Sequence, residues 1–326
     1  MAILFVGTSL ADMAEMADAP AAWTTSADID TFVLEGIRLP NGGDHSIGIT
    51  FPADDEIWLS FYMRWTATSG SAKPGIQFKS GTTELFNFNG QGNSGIGALS
   101  YHNGTSMQIA VVTGGDYNGL HRVDINIKMA DTGGVFKVYR DGVLDLDLTS
   151  ITEDTIRTAA TTLNRITINT FSLSNTVYSS IILANEDTRG MRLTQQLPTG
   201  AGATSQWGGT YASIDETGIN DTDSISTSVI GDVSTFSFPA IPTDFNSSAW
   251  VVKAVAAGLR ATATPEGDID VAGVVRTAST NYETAALDIP PSYIGKQAIW
   301  EVNPNTTAAW TYSDASGAQI GVKAVA

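Results

Sequence analysis

Acidic side chains are the first residues to consider, because paired carboxylates carry out general acid–base chemistry. Hydrolysis of a glycosidic bond needs two carboxylates about 5–10 Å apart, and no Glu-x-Asp-x-(x)-Glu strand motif occurs in the sequence. Asp54-Asp55-Glu56 precedes a strand-like segment and is interpreted as a solvated turn. Glu186-Asp187, followed by an arginine, is interpreted as a strand end or an ion-paired corner. Neither pair predicts a hydrolytic site.

Histidine, serine and cysteine give no stronger indication of catalysis. His45, His102 and His121 are scattered, and there is neither an HExxH motif nor a GxSxG nucleophile elbow. The sequence contains no Cys, which excludes disulfides, thiolate nucleophiles and Cys-ligated zinc. We therefore predict no catalytic residues and a protein that is not an enzyme. A catalytic pair assembled from distant loops is the alternative that the sequence leaves open.

Two predicted turns combine aromatic rings with short polar side chains. An aromatic ring stacks on the apolar face of a sugar while amides and carboxylates bind its hydroxyls, so these turns are candidate ligand-binding sites. The alternative is ordinary hairpin chemistry. The residues concerned are Tyr101, His102, Asn103, Asp116, Tyr117 and Asn118.

An acidic segment supplies hard oxygen ligands of the kind that calcium prefers. Asp215, Glu216, Asp221 and Asp223 lie close together in the sequence, but the Asp-x-Asp-x-Asp-Gly loop is missing. Solvation of an extended segment is the favoured role for these acids. We therefore predict no metal site and no cofactor, with structural calcium as the alternative.

The charge balance limits the range of partners. The 326 residues carry a formal net charge of −17, and no Lys/Arg cluster interrupts the acidity. Nucleic acid and anionic membranes would repel such a chain. No apolar run approaches the roughly 20 residues of a membrane span. The apolar start, residues 1–6, lacks a basic region and is predicted to be a first β-strand rather than a secretory signal.

The elements that must position any site are predicted to be β-strands. In Glu56–Trp65 and Arg122–Met129 apolar residues alternate with polar or amphipathic ones, which is typical of strands with one buried face. Asp141-Gly142 separates two further alternating segments and predicts a tight hairpin. Many such segments separated by glycine-containing turns favour an all-β fold. Ser9–Ala22 and Asp154–Thr162 are the two segments in which a helical turn is expected.

The chain is predicted to contain two β modules. Residues 1–195 form the first, an antiparallel jelly-roll sandwich. Residues 196–234 are predicted to be a linker or extended segment, and residues 235–326 a smaller C-terminal β-sandwich. The second module combines low charge with aromatic residues near its end, as the centres of interfaces do. We predict a homo-oligomer with Trp300, Trp310 and Tyr312 at its contacts, and core packing as the alternative role for these residues.

The first module resembles the concanavalin A-like jelly roll, in particular its laminin-G type. The segments that carry the resemblance are DEIWLSFYMRW at 55–65, HRVDINIKM at 121–129 and VFKVYRDGVLDLDL at 135–148. The resemblance implies two stacked antiparallel sheets. Calcium and glycans are recurrent ligands of such folds.

A second resemblance covers most of the chain. The opening MAILFVGTSL, then SSIILANEDTRGMRL at 179–193, SQWGGTY at 205–211 and IWEVNPNTTAAWTYSDASGAQIGV at 299–322 look like a recurrent layout in phage virion proteins. The resemblance implies a structural component of the virion that assembles with other virion proteins, in the tail or the capsid. We predict a tail fibre, tail-tip or baseplate-associated protein that binds a host-surface glycan. A head fibre, spike or capsid decoration protein is the first alternative, and a lectin module or a glycan hydrolase is the second.

Overall fold

In the computed structural model the chain folds into two compact units. Unit 1 is Met1–Leu193 and unit 2 is Thr194–Ala326. The strands below are numbered in chain order. The residues that the structure describes are 2–13, 15–16, 24–26, 36–38, 44–66, 73–91, 96–102, 107–110, 119–148, 155–156, 159–171, 175–263 and 269–326.

Unit 1 is an antiparallel jelly-roll sandwich, and its two sheets account for fifteen strands of the described residues. Sheet A has the order β13-β12-β11-β6-β15-β4-β3, with β1 also paired to β15. Its strands are β1 (Ile3–Gly7), β3 (Thr24–Ser26), β4 (Gly36–Arg38), β6 (Glu56–Thr66), β11 (Gly119–Lys128), β12 (Val135–Arg140), β13 (Val143–Asp147) and β15 (Asn175–Ala184). Sheet B contains β2 (Glu15–Met16), β5 (Asp44–Asp54), β7 (Lys73–Ser80), β8 (Thr83–Gln91), β9 (Ile96–His102), β10 (Met107–Ala110) and β14 (Leu163–Phe171). Its order is β10-β9-β8-β7-β14-β5-β2.

The core of unit 1 is built from the alternating apolar residues that the sequence predicted. Ile125 of β11 pairs with Leu59 of β6 and with Val138 of β12, and all three side chains are buried. Register partners lie on the same face of a sheet, so these strands present one continuous apolar face. Phe136 of sheet A meets Phe86 of sheet B edge to face, with ring centroids 5.2 Å apart. The all-β fold and the sandwich architecture are confirmed.

The predicted Asp-Gly hairpin is also confirmed. Asp141 and Gly142 both have positive φ, at 51° and 81°, and they join β12 to β13 with Arg140 opposite Val143. Two central residues with positive φ make the turn type that matches strand twist. The predicted helical turn after residue 9 is a short 3₁₀ turn at Leu10–Asp12. No helix in the described part of the chain is long and apolar enough to cross a membrane.

Unit 2 is a smaller β-sandwich. Its five-stranded sheet has the order β16-β17-β22-β19-β20, and a two-stranded sheet pairs β18 with β21. The strands are β16 (Gly200–Ser205), β17 (Val233–Ser237), β18 (Val255–Ala261), β19 (Asp270–Thr277), β20 (Thr280–Glu283), β21 (Ile294–Trp300) and β22 (Gln319–Val325), and the helix is α1 (Tyr312–Ser316). The side-chain oxygen of Thr311 caps α1 by accepting from the Asp314 amide at 3.0 Å.

The tryptophans that the sequence predicted at an interface lie in the core of unit 2. Trp300 is 8% exposed and Trp310 is 3% exposed, and both belong to one apolar cluster with Val275. The indole nitrogen of Trp310 donates to the carbonyl of Trp300 at 2.8 Å, which satisfies its one polar atom. The hydroxyl of Tyr312 donates to the carbonyl of Ile241 at 2.6 Å. These aromatic residues close a small sandwich, so packing within the unit explains them.

The segment that was predicted to be a linker belongs to the fold of unit 2. Gly200–Ser205 forms the edge strand β16 beside β17. Trp207 packs against an apolar cluster that includes Val271, and its indole nitrogen donates to the Asp232 carbonyl at 3.0 Å. The acidic segment is also held to this unit, because Arg260 donates two hydrogen bonds, of 2.7 and 2.8 Å, to the Asp221 carboxylate. The segment was predicted to be a linker because it is rich in Ser and Thr, and the few residues that anchor it are widely spaced.

One glycine of the C-terminal segment 299–322 is required by close strand packing. A Cβ at Gly321 would lie 1.9 Å from the carbonyl oxygen of Ser234 on the neighbouring strand β17. No side chain fits at that separation, so β17 and β22 can pair only with glycine at this position. The Ile-Gly-Val pattern at 320–322 therefore has a packing explanation.

Candidate functional site

The outer face of sheet B carries polar side chains where its inner face carries apolar ones. Thr167 of β14 pairs with Gln77 of β7, and Gln77 pairs with Asn87 of β8, so these residues form one row across three strands. We call this surface the polar face, and its residues are Gln77, Glu84, Asn87, Thr167 and Asn169. Neighbouring strands are about 4.8 Å apart, so the row presents polar groups at that spacing.

A β-bulge brings Glu84 to the polar face. Phe78 pairs with Phe86 and the next residue, Lys79, pairs with Glu84, so Leu85 is an extra residue on β8. Strict alternation would place Glu84 on the same side as Phe86, which lies in the core. The extra residue reverses that direction, as bulges commonly do beside functional sites. The adjacent apolar pair Leu85-Phe86, which breaks the alternation, is the sequence signal that indicates this bulge.

Glu84 fixes the orientation of two amide side chains. Its carboxylate accepts a hydrogen bond from the side-chain nitrogen of Gln77 and another, at 2.8 Å, from that of Asn87. A carboxylate accepts hydrogen bonds and donates none, so both amides must turn their nitrogens toward it. The carbonyl oxygens of Gln77 and Asn87 consequently point away from Glu84.

Two groups of the polar face are buried without a hydrogen-bond partner. Asn87 is 7% exposed and Thr167 is 4% exposed. The side-chain oxygen Oδ1 of Asn87 and the hydroxyl Oγ1 of Thr167 have no hydrogen-bond partner among the described residues. Buried polar groups are nearly always paired, so this pair of orphaned oxygens indicates a place where an external ligand or water completes the bonding.

Buried glycines are the register partners of two residues of the polar face. Gly48 of β5 is the register partner of Thr167, and Gly75 of β7 is the register partner of Asn169. A glycine inside a strand commonly marks close approach of a ligand or of another backbone. The long side chains of Lys79 and Arg165 occupy the next register row and are partly exposed. The polar face is therefore accessible from that end and deepest at Thr167 and Asn87.

The outer face of sheet A carries a different polar cluster, centred on Arg122. The Arg122 guanidinium donates to the Asp124 carboxylate at 3.0 Å and to the carbonyls of Thr188 and Met191, both at 2.8 Å. Asp124 has no exposed surface and also accepts from the Ser60 hydroxyl. The Ser60 and Thr188 hydroxyls are 2.6 Å apart. We call these residues the Arg122 clamp, because they hold the segment 188–191 against the sheet.

An arginine stack covers the aromatic residues beside the clamp. The rings of Trp58 and Tyr139 are stacked at 6.0 Å, and the Arg189 guanidinium lies 5.2 and 4.3 Å from their centroids. Asp187 holds Arg189 through an ion pair at 2.6 Å, which confirms the predicted ion-paired corner. The hydrogen bond from Arg189 lowers the pKa of the Asp187 carboxyl below its usual value. The Trp58 and Tyr139 rings are thus engaged within unit 1.

The ligand-binding residues predicted from the sequence lie elsewhere or outside the described residues. Tyr101 and His102 are strand residues at the end of β9 rather than turn residues, because they pair with Gln108 and Met107 of β10. Tyr101 is also the register partner of Phe86. Asn103, Asp116, Tyr117 and Asn118 lie outside the described residues. The polar face, which the structure brings together from β7, β8 and β14, was missed by the sequence analysis.

The acidic residues proposed for calcium do not form a metal cluster in the described part of the chain. Asp221 is occupied by Arg260, and Glu216 accepts from the Asn220 side chain at 3.0 Å. No group of three or more His, Asp or Glu side chains among the described residues is arranged to hold an ion.

The stacked antiparallel sheets define unit 1 as a jelly-roll β-sandwich. No family profile matches the sequence, and no curated protein matches it. Solved structures match one part of the chain at low identity. The T. cruzi calreticulin globular domain is 12% identical, covers 57% of this chain and 89% of its own, and has a TM-score of 0.42.

Two further solved structures illustrate the range of proteins that are similar to the chain. Bacillus licheniformis β-glucanase is 11% identical, covers 57% of this chain and all of its own, and has a TM-score of 0.40. The Caenorhabditis elegans galectin LEC-6 is 14% identical, covers 42% of this chain and 89% of its own, and has a TM-score of 0.31. At these TM-scores the matches decide neither a ligand nor a reaction, so the functional argument depends on the polar face itself.

Proposed function

We propose that this chain is a non-enzymatic structural protein of a phage particle and that unit 1 binds a host-surface glycan through the polar face. The observation that carries the proposal is the pair of buried, unpartnered oxygens on Asn87 and Thr167. A polyhydroxylated ligand offers the donors and acceptors that these groups lack.

The energetics of the orphaned groups favour a ligand. A buried polar group without a partner costs about 1–3 kcal/mol, and the polar face holds two of them in one register row, with Gln77 between them. A sugar hydroxyl both donates and accepts, so one hydroxyl can pair with the Asn87 oxygen and another with the Thr167 hydroxyl.

The chemistry of the polar face favours binding over hydrolysis. Glycosidases use two carboxylates that flank the scissile bond. Among the described residues of the polar face, Glu84 is the one carboxylate, and its two oxygens accept from Gln77 and Asn87. A carboxylate engaged in this way orients neighbouring groups and is poorly placed to donate or remove a proton.

The sequence resemblance supports the virion setting. The order of the segments at 1–10, 179–193, 205–211 and 299–322 resembles that of phage virion proteins. A host-glycan site suits a tail fibre, tail tip or baseplate protein better than a capsid decoration protein. Many copies on one particle convert weak single-site binding into firm attachment, so a weak site is adequate for adsorption.

Thr167→Val is the variant that tests the proposal most cleanly. Valine has the shape of threonine without the hydroxyl, and that hydroxyl has no partner in the described part of the chain. We expect thermal stability equal to or higher than that of the unmodified chain and about a tenfold loss of affinity, the effect of one hydrogen bond to the ligand. The measurement is a glycan array of bacterial surface oligosaccharides, followed by calorimetric titration with the strongest ligand.

Thr132→Val is the matched control, since Thr132 is exposed in the turn before β12. It should bind like the unmodified chain. If the Thr167→Val variant bound the glycan as tightly as the unmodified chain, the polar face would not be the recognition site. Release of reducing sugar from a bound polysaccharide would overturn the non-enzymatic assignment.

A further inference from the structure

We infer that residues 185–193 form a strap that passes any pull on unit 2 to the middle of sheet A, with Arg122 as its anchor. Unit 1 ends at Leu193 and unit 2 begins at Thr194. The covalent chain therefore carries a pull on unit 2 into the strap before it reaches any strand of unit 1. The inference concerns resistance to force, and it does not depend on what the polar face binds.

The strap crosses the strands of sheet A after it leaves β15, which ends at Ala184. Thr188 is fully buried, and its hydroxyl lies 2.6 Å from that of Ser60 on β6. The guanidinium of Arg122 on β11 donates to the carbonyls of Thr188 and Met191, both at 2.8 Å. The strap is therefore bonded to two strands other than the one from which it emerges.

A third strand is reached by Arg189. Its guanidinium lies 4.3 Å from the centroid of the Tyr139 ring on β12. The order of these strands in the sheet is β12-β11-β6-β15, so the contacts of the strap run across the strands. A pull on the strap is consequently divided among β6, β11 and β12 and does not fall on the end of β15 alone.

Arg122 is suited to be the anchor because it is held from both sides. Asp124, which has no exposed surface, accepts from its guanidinium at 3.0 Å, while the two carbonyls of the strap accept from its other nitrogens. The guanidinium is a rigid fork of donors that can span two acceptors. Hydrogen bonds from a charged donor are stronger than neutral ones, and exclusion of water strengthens them further. The Arg122 side chain is only 11% exposed.

Loss of the anchor would shift the force to the end of β15. The strap would keep the hydroxyl pair of Ser60 and Thr188 and the ring contact of Arg189, and these are neutral or partly exposed contacts. Once they broke, a pull would act directly at Ala184, which pairs with Ile3 of β1. The anchor thus also protects the pairing of the first strand.

The test is single-molecule force spectroscopy on the full chain. The sequence contains no Cys, so Thr132→Cys, in an exposed turn of unit 1, provides one attachment point, and the C-terminus provides the other. We expect the strap to stay attached until unit 1 opens. In the Arg122→Met/Asp124→Asn variant of this chain, the strap should detach in a separate step at lower force. That step should lengthen the molecule by at most about 30 Å, the extended length of residues 185–193.

Lys137→Met is the matched control. Lys137 lies on the outer face of β12, and its ionic partner is Asp147 of β13, so its loss should produce no separate step. Arg122→Lys is a second test variant, since it keeps a cation beside Asp124 but lacks the fork that spans two carbonyls. It should show the early step even if the double variant does not fold.

Three results would overturn the inference. The first is an early step of this length in the chain that retains Arg122, because the strap would then not be anchored. The second is the same step in the Lys137→Met control, because any loss of charge on this face would then release the strap. The third is the absence of the step from folded Arg122→Lys and Arg122→Met/Asp124→Asn chains, because contacts other than those of Arg122 would then hold the strap.

Discussion

Ile125→Asp is expected to abolish stable folding of unit 1. Ile125 has no exposed surface and lies in the centre of sheet A, between Leu59 and Val138. The substitution removes a large apolar side chain and places a carboxylate in a dry interface between two sheets. Together these effects should lower the free energy of unfolding by about 5 kcal/mol or more. Urea titration followed by circular dichroism measures the loss.

Leu144→Asp is the matched control for that variant. Leu144 lies on β13 in the same sheet and is 47% exposed. The same chemical change at an exposed position should alter the free energy of unfolding by no more than about 0.5 kcal/mol. A thermal melt of Ile125→Asp close to that of the unmodified chain would show that the apolar face of β11 was assigned incorrectly.

Arg122→Met is expected to give the second largest effect. The variant keeps much of the side-chain volume but leaves the Asp124 carboxylate buried without its cationic partner. The carbonyls of Thr188 and Met191 lose their donors at the same time. Removal of one partner of a buried ion pair typically costs about 3–5 kcal/mol. The unfolding midpoint in urea should fall accordingly, and proteolysis after residue 188 should become faster.

The double variant Arg122→Met/Asp124→Asn identifies the cause of that loss. It removes the negative charge of Asp124 together with its cationic partner Arg122, so no uncompensated ion remains in the clamp. Stability should recover by more than half if the buried charge dominates, because replacing a whole buried pair is far better tolerated than breaking it. A loss below about 1 kcal/mol for Arg122→Met alone would contradict the role assigned to the clamp.

Strand alternation made the core of unit 1 predictable, because burial on one face imposes a period of two on the sequence. Ile57, Ile125 and Val138 follow that period and lie in the core. The Asp141-Gly142 turn was predictable for a related reason, since few residue pairs tolerate two successive positive φ values. The strands and this turn were therefore predictable from residues that are near neighbours in the sequence.

The polar face could not be predicted in the same way. It combines Glu84 and Asn87 from β8 with Gln77 from β7 and Thr167 from β14, and strand order determines that combination. The bulge at Leu85 also reverses the direction that alternation assigns to Glu84. Turns that carry aromatic rings can be recognised in a sequence as candidate sites. Scattered amides and a threonine can be recognised as a site only when the strand register is known.

The buried tryptophans illustrate a second limit. A low-charge segment with aromatic residues has the same composition whether it closes a small core or forms an interface. Trp300 and Trp310 are buried because the two-stranded sheet of β18 and β21 needs large side chains to cover Val275. Whether the chain forms a homo-oligomer stays a prediction, and Trp300 and Trp310 are already packed in the core of unit 2.

Photo-crosslinking with a diazirine-labelled oligomer of the glycan that binds most strongly locates the binding site directly. The label reacts with whatever lies next to the bound sugar, and mass spectrometry then identifies the modified peptides. The account predicts labelling within 73–91 and 163–171, the strands that carry the polar face, and loss of that labelling in the Thr167→Val variant. Labelling confined to 96–118 or to 185–193, with the three strands of the polar face unmodified, would contradict it.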